Sequence, residues 1–555
     1  MLLTRPALDA DAATSVALLN CLVREVCAPE QQVWPTDGRL TVRLPRVGIT
    51  LRARLTRPPF GPTYRLTTPI EELRADDWIP APWTRLADLI AGELELATGR
   101  PNPEFTAQVT DSHTALAAIL RSRGDLALGV VTRRKITAWG ARGAGTMGAY
   151  LASERALVSG HRFHPAPKAR QGDPAGWLRY APEANAAFPL HWLAVRADLV
   201  IGEGDFMLPA PAVPDGYAVL PAHPWQLSLL ADRPLLRAAL DSGAIRDLGP
   251  AGPPAVPTSS VRTVYLPAAD LFCKFSLDVR ITNCLRKNSW YELISAVALT
   301  RLLRPVFAEL GAAHGCALLA EPAYRSVSLA DRRLHEGLGV IIRTGVQDRP
   351  GTPLLAGALA DPYGPLLSDV LAAHFPLTWW RAYVRHVVPP VLHAYLRYGV
   401  VLEPHLQNVL IRVDDDGLPT QAIFRDLEGT KLLAGRWELS DLPARVREAM
   451  TYDPERGWNR VVYCLFVNHI TELAAAIADL HPTLEPDLWR VVRDEVAHVA
   501  EGELDRDGTA RLRALLAGVP LPAKANLRAR WARSADRAAT YVTVRNPFAD
   551  LDFVR

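Results

Sequence analysis

The sequence predicts an α+β fold in about three lobes, on three observations. The chain has 555 residues, more than one ordinary core of about 100 to 200 residues holds. Its first part mixes helical and alternating strand patterns, whereas long helical patterns take over beyond about residue 290. Hydrophobic residues make up 49% and charged residues 22%, the composition of an ordinary soluble globular protein, which excludes disorder along most of the length.

Residues 1–124 open with an amphipathic helical pattern, AATSVALLNCLVREV. They continue through strand-like RLTVRLP and GITLRARL and close on helical LADLIAGELELA, a small α+β lobe. Residues 125–290 are rich in Pro and Gly and hold short strands, GYAVLPAHPWQ, VRTVYLP and LFCKFSL, with most of the unusual polar clusters. Residues 291–555 are helix-rich, built on NSWYELISAVALTRLLRPVFAEL, LTWWRAYVRHVVPPVLHAYLRYG and WNRVVYCLFVNHITELAAAIADL, with one short hairpin between them. There is no internal repeat or low-complexity segment.

A net charge of +3 over so large a surface provides no field able to hold nucleic acid or a membrane, so any anion is held locally. Cys21, Cys27, Cys273, Cys284, Cys316 and Cys464 form no Cys-x-x-Cys pair and read as reduced core residues. The amino terminus lacks a signal-peptide pattern, and no run of about 18 apolar residues is uninterrupted, so a cytoplasmic location is expected.

The segment GVVLEPHLQNVLIRVDDDGLPTQAIFRDLEGT, residues 399–430, reads as a strand, a turn at DDDG and a returning strand. Counting nine residues outward from Gly417 in each direction reaches Asn408 and Asp426, which a regular hairpin sets side by side, with a one-residue slip in register left open. With Glu403 upstream and Glu428 downstream they make a hard oxygen site suited to Mg²⁺, which implies a bound nucleotide. The apolar VLI and AIF flanks argue against a merely solvated edge. A kinase-type phosphotransferase places a metal-binding Asn before such a hairpin and a metal-binding Asp after it. Glu403 stands where sugar kinases carry a base Asp, but its extra methylene misplaces a base whose reach must be about 3 Å, which disfavours phosphorylation of an alcohol. His405 is instead a donor to phosphate or to charge developing on a carboxylate.

In PTSSVRTVYLPAADLFCKFSLDVRITNCLRKNS, residues 257–289, folding the two apolar strands brings Arg262 near Lys274, with Thr258, Ser259 and Ser260 at one mouth. Facing cations repel unless an anion lies between them, so a triphosphate or polycarboxylate is expected. Thr282 and Arg286 are four apart and share a face if that stretch is helical. A third cluster, His161, His164, Lys168 and Arg170 in SGHRFHPAPKARQG, sits on a stiff loop that suits an anionic substrate and lacks a third metal ligand of matching type. HPWQ, residues 223–226, is a similar, less telling element.

Together with YAPEANAAFPLHW, YCLFVNH, PAKANLRAR and NPF, these segments resemble the siderophore synthetases that work independently of nonribosomal peptide synthetases, the aerobactin synthetase family. The resemblance spans most of the chain and implies a cupped-hand fold of thumb, fingers and palm. It implies ATP and Mg²⁺ used to adenylate a carboxylate of citrate or a related acid, which an amine or alcohol then captures. By position it places Thr258, Ser259, Ser260, Arg262, Lys274, Arg286, His405, Asn408 and Asp426 around ATP. It places Glu403, Asn408 and Asp426 near the metal, and His161, His164, Lys168, Thr282, Arg286 and His405 toward the acid. Arg286, His405 and Lys274 are the implied catalytic residues, and a homodimer is implied by analogy alone. The alternatives are a kinase-like phosphotransferase and a non-catalytic binder of citrate or nucleotide.

Overall fold

The computed structural model describes residues 8–128, 144–281, 284–502, 504–534 and 540–551. The first helix, Ala10–Leu22, starts at Asp9, whose carboxylate accepts the Ala12 N–H at 3.0 Å, and runs on as a π-helical turn, Val23–Cys27. It is not the amphipathic surface helix expected. Eleven of its thirteen residues are buried, because a five-stranded antiparallel sheet of consecutive strands and the helices Trp83–Thr98 and Phe105–Leu128 pack around it. Leu527 and Trp531, from the other end of the chain, complete this core.

The second layer is an eight-stranded antiparallel sheet, ordered Val200–Glu203, Ala323–Val327, Val340–Thr344, Leu271–Phe275, Thr263–Leu266, Ile245–Pro257, Phe188–Arg196, Tyr217–Ala222. The boundary expected at residue 290 cuts through it. After the helix Trp290–His314 the chain returns to add two apolar strands, and Val340–Thr344 pairs with Leu271–Phe275 along its whole length. HPWQ ends a strand and starts the helix Pro224–Leu230, with His223 as N-cap accepting the Trp225 N–H at 3.2 Å.

All three long helical patterns are present. Trp290–His314 is closed by a capping box between Ser289 and Glu292 and ends at Gly315, whose φ of +62° favours glycine. Pro376–Leu396 buries Trp379, Trp380 and Tyr383 completely. The run Pro454–Leu480, π-helical over Tyr463–Ile470, is long and apolar enough to cross a membrane, yet 94% of its apolar window is buried inside the protein, where it serves as a core helix. Against these helices lies a four-stranded sheet, Cys316–Leu318, Pro419–Phe424, Val409–Val413, Thr352–Leu355. The five cysteines whose side chains are described are free and buried.

His223 is completely buried among the rings of Tyr180, Phe188 and Phe275, and burial alone pushes it down from 6.5 to about 3. Between those values the unfolded chain binds a proton that the folded protein does not, so stability is lost as pH falls through that window, by up to about 4 kcal/mol. His223→Asn keeps an acceptor for the cap without a titratable ring. It should flatten the fall of the unfolding midpoint between pH 6.5 and 4, measured by thermal denaturation.

Candidate active site

The second sheet, the hairpin strands Val409–Val413 and Pro419–Phe424, and the loop 159–172 meet around one cleft of about 900 Å³. Lys and Arg outnumber Asp and Glu along its wall by thirteen to eight. The chain as a whole carries only +3, so the positive excess is concentrated here.

The hairpin has slipped by one residue. Val409 faces Phe424, so Asn408 lies opposite Arg425, whose N–H donates to the Asn408 carbonyl at 3.0 Å. Nearest the turn Val413 faces Pro419, two residues off the count from Gly417, and the irregularity between Arg412 and Val413 recovers one of the two. Asp426 follows with a φ of +77°, leaving the ladder to line the cleft.

Arg262 and Lys274 do come together, and the anion between them is part of the protein. Arg262 pairs with Glu428. Lys274 pairs with Asp426 and, at 3.2 Å, with Glu428. Arg343 bridges Glu321 at 2.6 Å and Asp426 at 3.4 Å. Beneath them Asn288 accepts from Arg262 at 2.6 Å and donates to the carbonyls of Lys274 and Gly339. Burial opposes ionisation of both carboxylates, yet Lys274, Arg343 and Arg262 hold Asp426 far below the usual range, and Arg262 with Lys274 lowers Glu428. Lys274, expected around the nucleotide, has a side chain 1% exposed that pairs with the two carboxylates and is not itself part of the cleft wall.

These ion pairs engage Asp426 Oδ1 and Glu428 Oε2. Among the described residues no hydrogen bond or ion pair takes Asp426 Oδ2 or Glu428 Oε1. Two ionised carboxylates with one oxygen each to spare, beside the cleft-lining Asn408, fit a Mg²⁺ that brings phosphate and water as its other ligands. They do not suit a cation held by protein alone, and among the described residues no three His, Cys, Asp or Glu side chains gather for one. Glu403, expected in this set, is instead paired with Arg460 at 3.1 Å and lies against Gly429, where a Cβ would come within 2.3 Å of Glu403 Oε2.

Of the hydroxyl trio, Thr258 Oγ1 donates to the Thr263 carbonyl at 2.9 Å and Ser259 Oγ donates to Glu154 at 2.9 Å. Thr258 is thus spent within its own turn and Ser259 on a distant helix; all three line the cleft, Ser260 beside Val261, whose φ is +66°. Arg286 lines the cleft but is not helical: Leu277–Ile281, with alternating apolar side chains, pairs antiparallel with Cys284–Arg286, placing Leu277 opposite Arg286. Thr282 lies outside the described residues.

Also along the cleft wall, Phe163 N–H donates to His161 Nδ1 at 3.0 Å, and His161 Nε2 lies 2.8 Å from the Asn468 side-chain amide. Burial, with His164 and Arg24 nearby, pushes His161 down to about 3. Burial also lowers His405, whose Nδ1 accepts from Gln407 N–H at 3.3 Å, so the neutral ring carries its proton on Nε2. Lys168 and Arg170, expected as cations for the acid, both pair with Glu183, at 2.6 and 2.7 Å, and His164 Nδ1 accepts the Ala166 N–H within its own loop. Arg162, 3.6 Å from Glu472, is the arginine of that loop that stays partly exposed at the cleft, joined there by Lys524 and Asn526.

Sequence reasoning missed Arg343, Glu154, Asn288 and Asn468. A charged residue inside an apolar strand, as Arg343 is in VIIRT, was a usable signal, because a buried charge requires a partner. Lys274→Met should leave the half-buried Asp426 and Glu428 with only Arg343 and Arg262 to compensate them, costing about 1–3 kcal/mol. The checks are a fall in the denaturation midpoint and loss of activity together, whereas Arg286→Ala should leave the midpoint unchanged.

With this geometry in view, residues 149–361 match the IucA / IucC family and residues 377–539 match the ferric iron reductase FhuF-like transporter family. The rhizobactin siderophore biosynthesis protein RhbC of Rhizobium meliloti is 29% identical, over 97% of each chain. The spermidine-citrate ligase of Bacillus anthracis is 28% identical over 72% of this chain and 73% of that one. The ATP-bound aerobactin synthetase IucA of Klebsiella pneumoniae shares the fold, with a TM-score of 0.82 at 24% identity over 97% of this chain and 99% of that one. The fold is thus shared over 97% of the chain, and residues 149–361 carry the IucA / IucC match that marks a siderophore synthetase working independently of nonribosomal peptide synthetases.

Proposed function

We propose that the protein is a cytoplasmic, siderophore-forming ligase that adenylates a carboxylate of citrate or a related acid with ATP and joins it to an amine, hydroxamate amine or alcohol. The observation that carries this reading is one cleft of about 900 Å³ with a positive excess along its wall, lined both by Asp426 and Glu428 and by His161, His405 and Asn468. Ser260, Arg262, Asn408, Asp426 and Glu428 form the nucleotide end, and His161, Arg162, His405, Lys524 and Asn526 form the acid end, with Arg286 serving both. The lobes correspond to the thumb, fingers and palm of the resembled fold.

The cations offset the repulsion between a carboxylate and a triphosphate, whose approach is otherwise the costly part of the step. A carboxylate oxygen attacks the α-phosphorus, the bond from that phosphorus to the bridging oxygen breaks, and pyrophosphate leaves. The incoming amine then attacks the acyl carbon, the bond to the adenylate oxygen breaks, and AMP leaves as the amine loses its proton. Arg286 and the Nε2–H of His405 are placed to steady charge on the acid. Asp426, Glu428 and Asn408 would hold Mg²⁺, which when bound supplies charge shielding to the departing pyrophosphate.

A kinase-like reaction is disfavoured by Glu403, which is neutralised by Arg460 and pressed against Gly429 rather than available as a base. Pyrophosphate and AMP as products, rather than ADP, therefore test the reading. Exchange of labelled pyrophosphate into ATP should depend on the acid across citrate, succinate and 2-oxoglutarate, and Arg286→Ala should abolish it. Exchange that is silent with every acid would leave a non-catalytic binder.

A further inference from the structure

We propose that Glu154 is a positioning residue for the nucleotide end of the cleft, acting through Arg425 and Ser259; this rests on the ligase reading above. Glu154 closes the helix Ala144–Glu154, is 0% exposed and does not itself line the cleft. Its carboxylate accepts the Ser259 N–H at 3.0 Å and Oγ–H at 2.9 Å, and both terminal nitrogens of Arg425. Arg425 directs Nε and one terminal nitrogen to the Gln407 carbonyl, at 3.0 and 2.8 Å. Gln407 Nε2 returns to the Ser259 carbonyl at 2.9 Å. A hydrogen-bonded ring thus closes through four segments of the chain.

Three ring members are each followed directly by a cleft residue: Ser260 after Ser259, Asn408 after Gln407, and Asp426 after Arg425. The ring therefore fixes the mutual spacing of the groups expected around the triphosphate. Burial raises the Glu154 carboxyl, but the Arg425 guanidinium overrides it and holds the group below its ordinary value, so the ring is ionised at neutral pH. A buried ion pair is a poor source of stability, since apolar residues of equal volume pack as well or better. What this ring provides is direction, because each of its bonds orients a particular N–H or carbonyl.

The double variant Glu154→Leu/Arg425→Met replaces the pair with apolar volume and should match or exceed the wild-type unfolding midpoint. ATP affinity by calorimetry and KM for ATP in AMP release should both weaken by about tenfold or more, while KM for citrate stays within about twofold. Unchanged ATP affinity overturns the proposal, and so does a parallel rise in both KM values, which marks general slackening. Glu154→Gln leaves Arg425 buried without its carboxylate and should lose both midpoint and ATP affinity. Glu154→Asp, which keeps the charge, should restore part of each; failure to restore ATP affinity counts against positioning. Wild-type protein that binds no ATP sinks the ligase reading and this proposal with it, whereas binding that is equal in wild type and double variant sinks this proposal alone.

Discussion

Two half-buried carboxylates, Asp426 and Glu428, set against three buried cations, Lys274, Arg262 and Arg343, are the constraint on which the rest of the site depends. The cations are not tolerable in the interior without the carboxylates, because an unpaired buried charge costs several kcal/mol. The cations stand on the eight-stranded sheet and on the turn leading into it, and the carboxylates on the segment leaving the four-stranded hairpin. The two halves of the chain are therefore locked together along the seam where the cleft opens. The ion pairs occupy one oxygen of each carboxylate and leave the other for a ligand, so a stabilising network and a binding site are built from the same atoms.

The opposite wall is held by helices whose regular spacing is interrupted. The core helix becomes π-helical over Tyr463–Ile470, which places the adjacent Asn468 and His469 in contact with two different parts of the site. Asn468 meets His161 and Leu406, while His469 lies between the Tyr383 hydroxyl at 2.5 Å and the Pro404 carbonyl at 2.8 Å. The turn carrying His405 is thus held by Asn468, which lines the cleft, and from behind by His469, which does not. Likewise Glu25, on the π-helical turn of the first helix, accepts the N–H groups of Leu527 and Arg528, holding the segment that presents Lys524 and Asn526.

Much of this was legible in the chain itself. The three long helices, the strands of the first lobe and the hairpin around Gly417 follow from hydrophobic periodicity and turn residues, which are local properties. So is the gathering of cations in 159–172 and 257–289. Where local reasoning fell short, a distant partner had decided the outcome. The first helix is buried all round because sheet and helices enclose it. Lys168 and Arg170 share Glu183, and Glu403 pairs with Arg460, so each lines the cleft already partnered by another part of the chain.

The sequence by itself determined the α+β class, the elements and the residue types that converge on one cleft, since propensity, pattern and charge are written residue by residue. Only the tertiary structure decided which oxygen of Asp426 is engaged, that Glu428 rather than Glu403 stands beside it, and that Lys274 acts from behind. Those choices depend on distances between segments more than fifty residues apart. They are settled by how much desolvation each charge must offset once the segments pack.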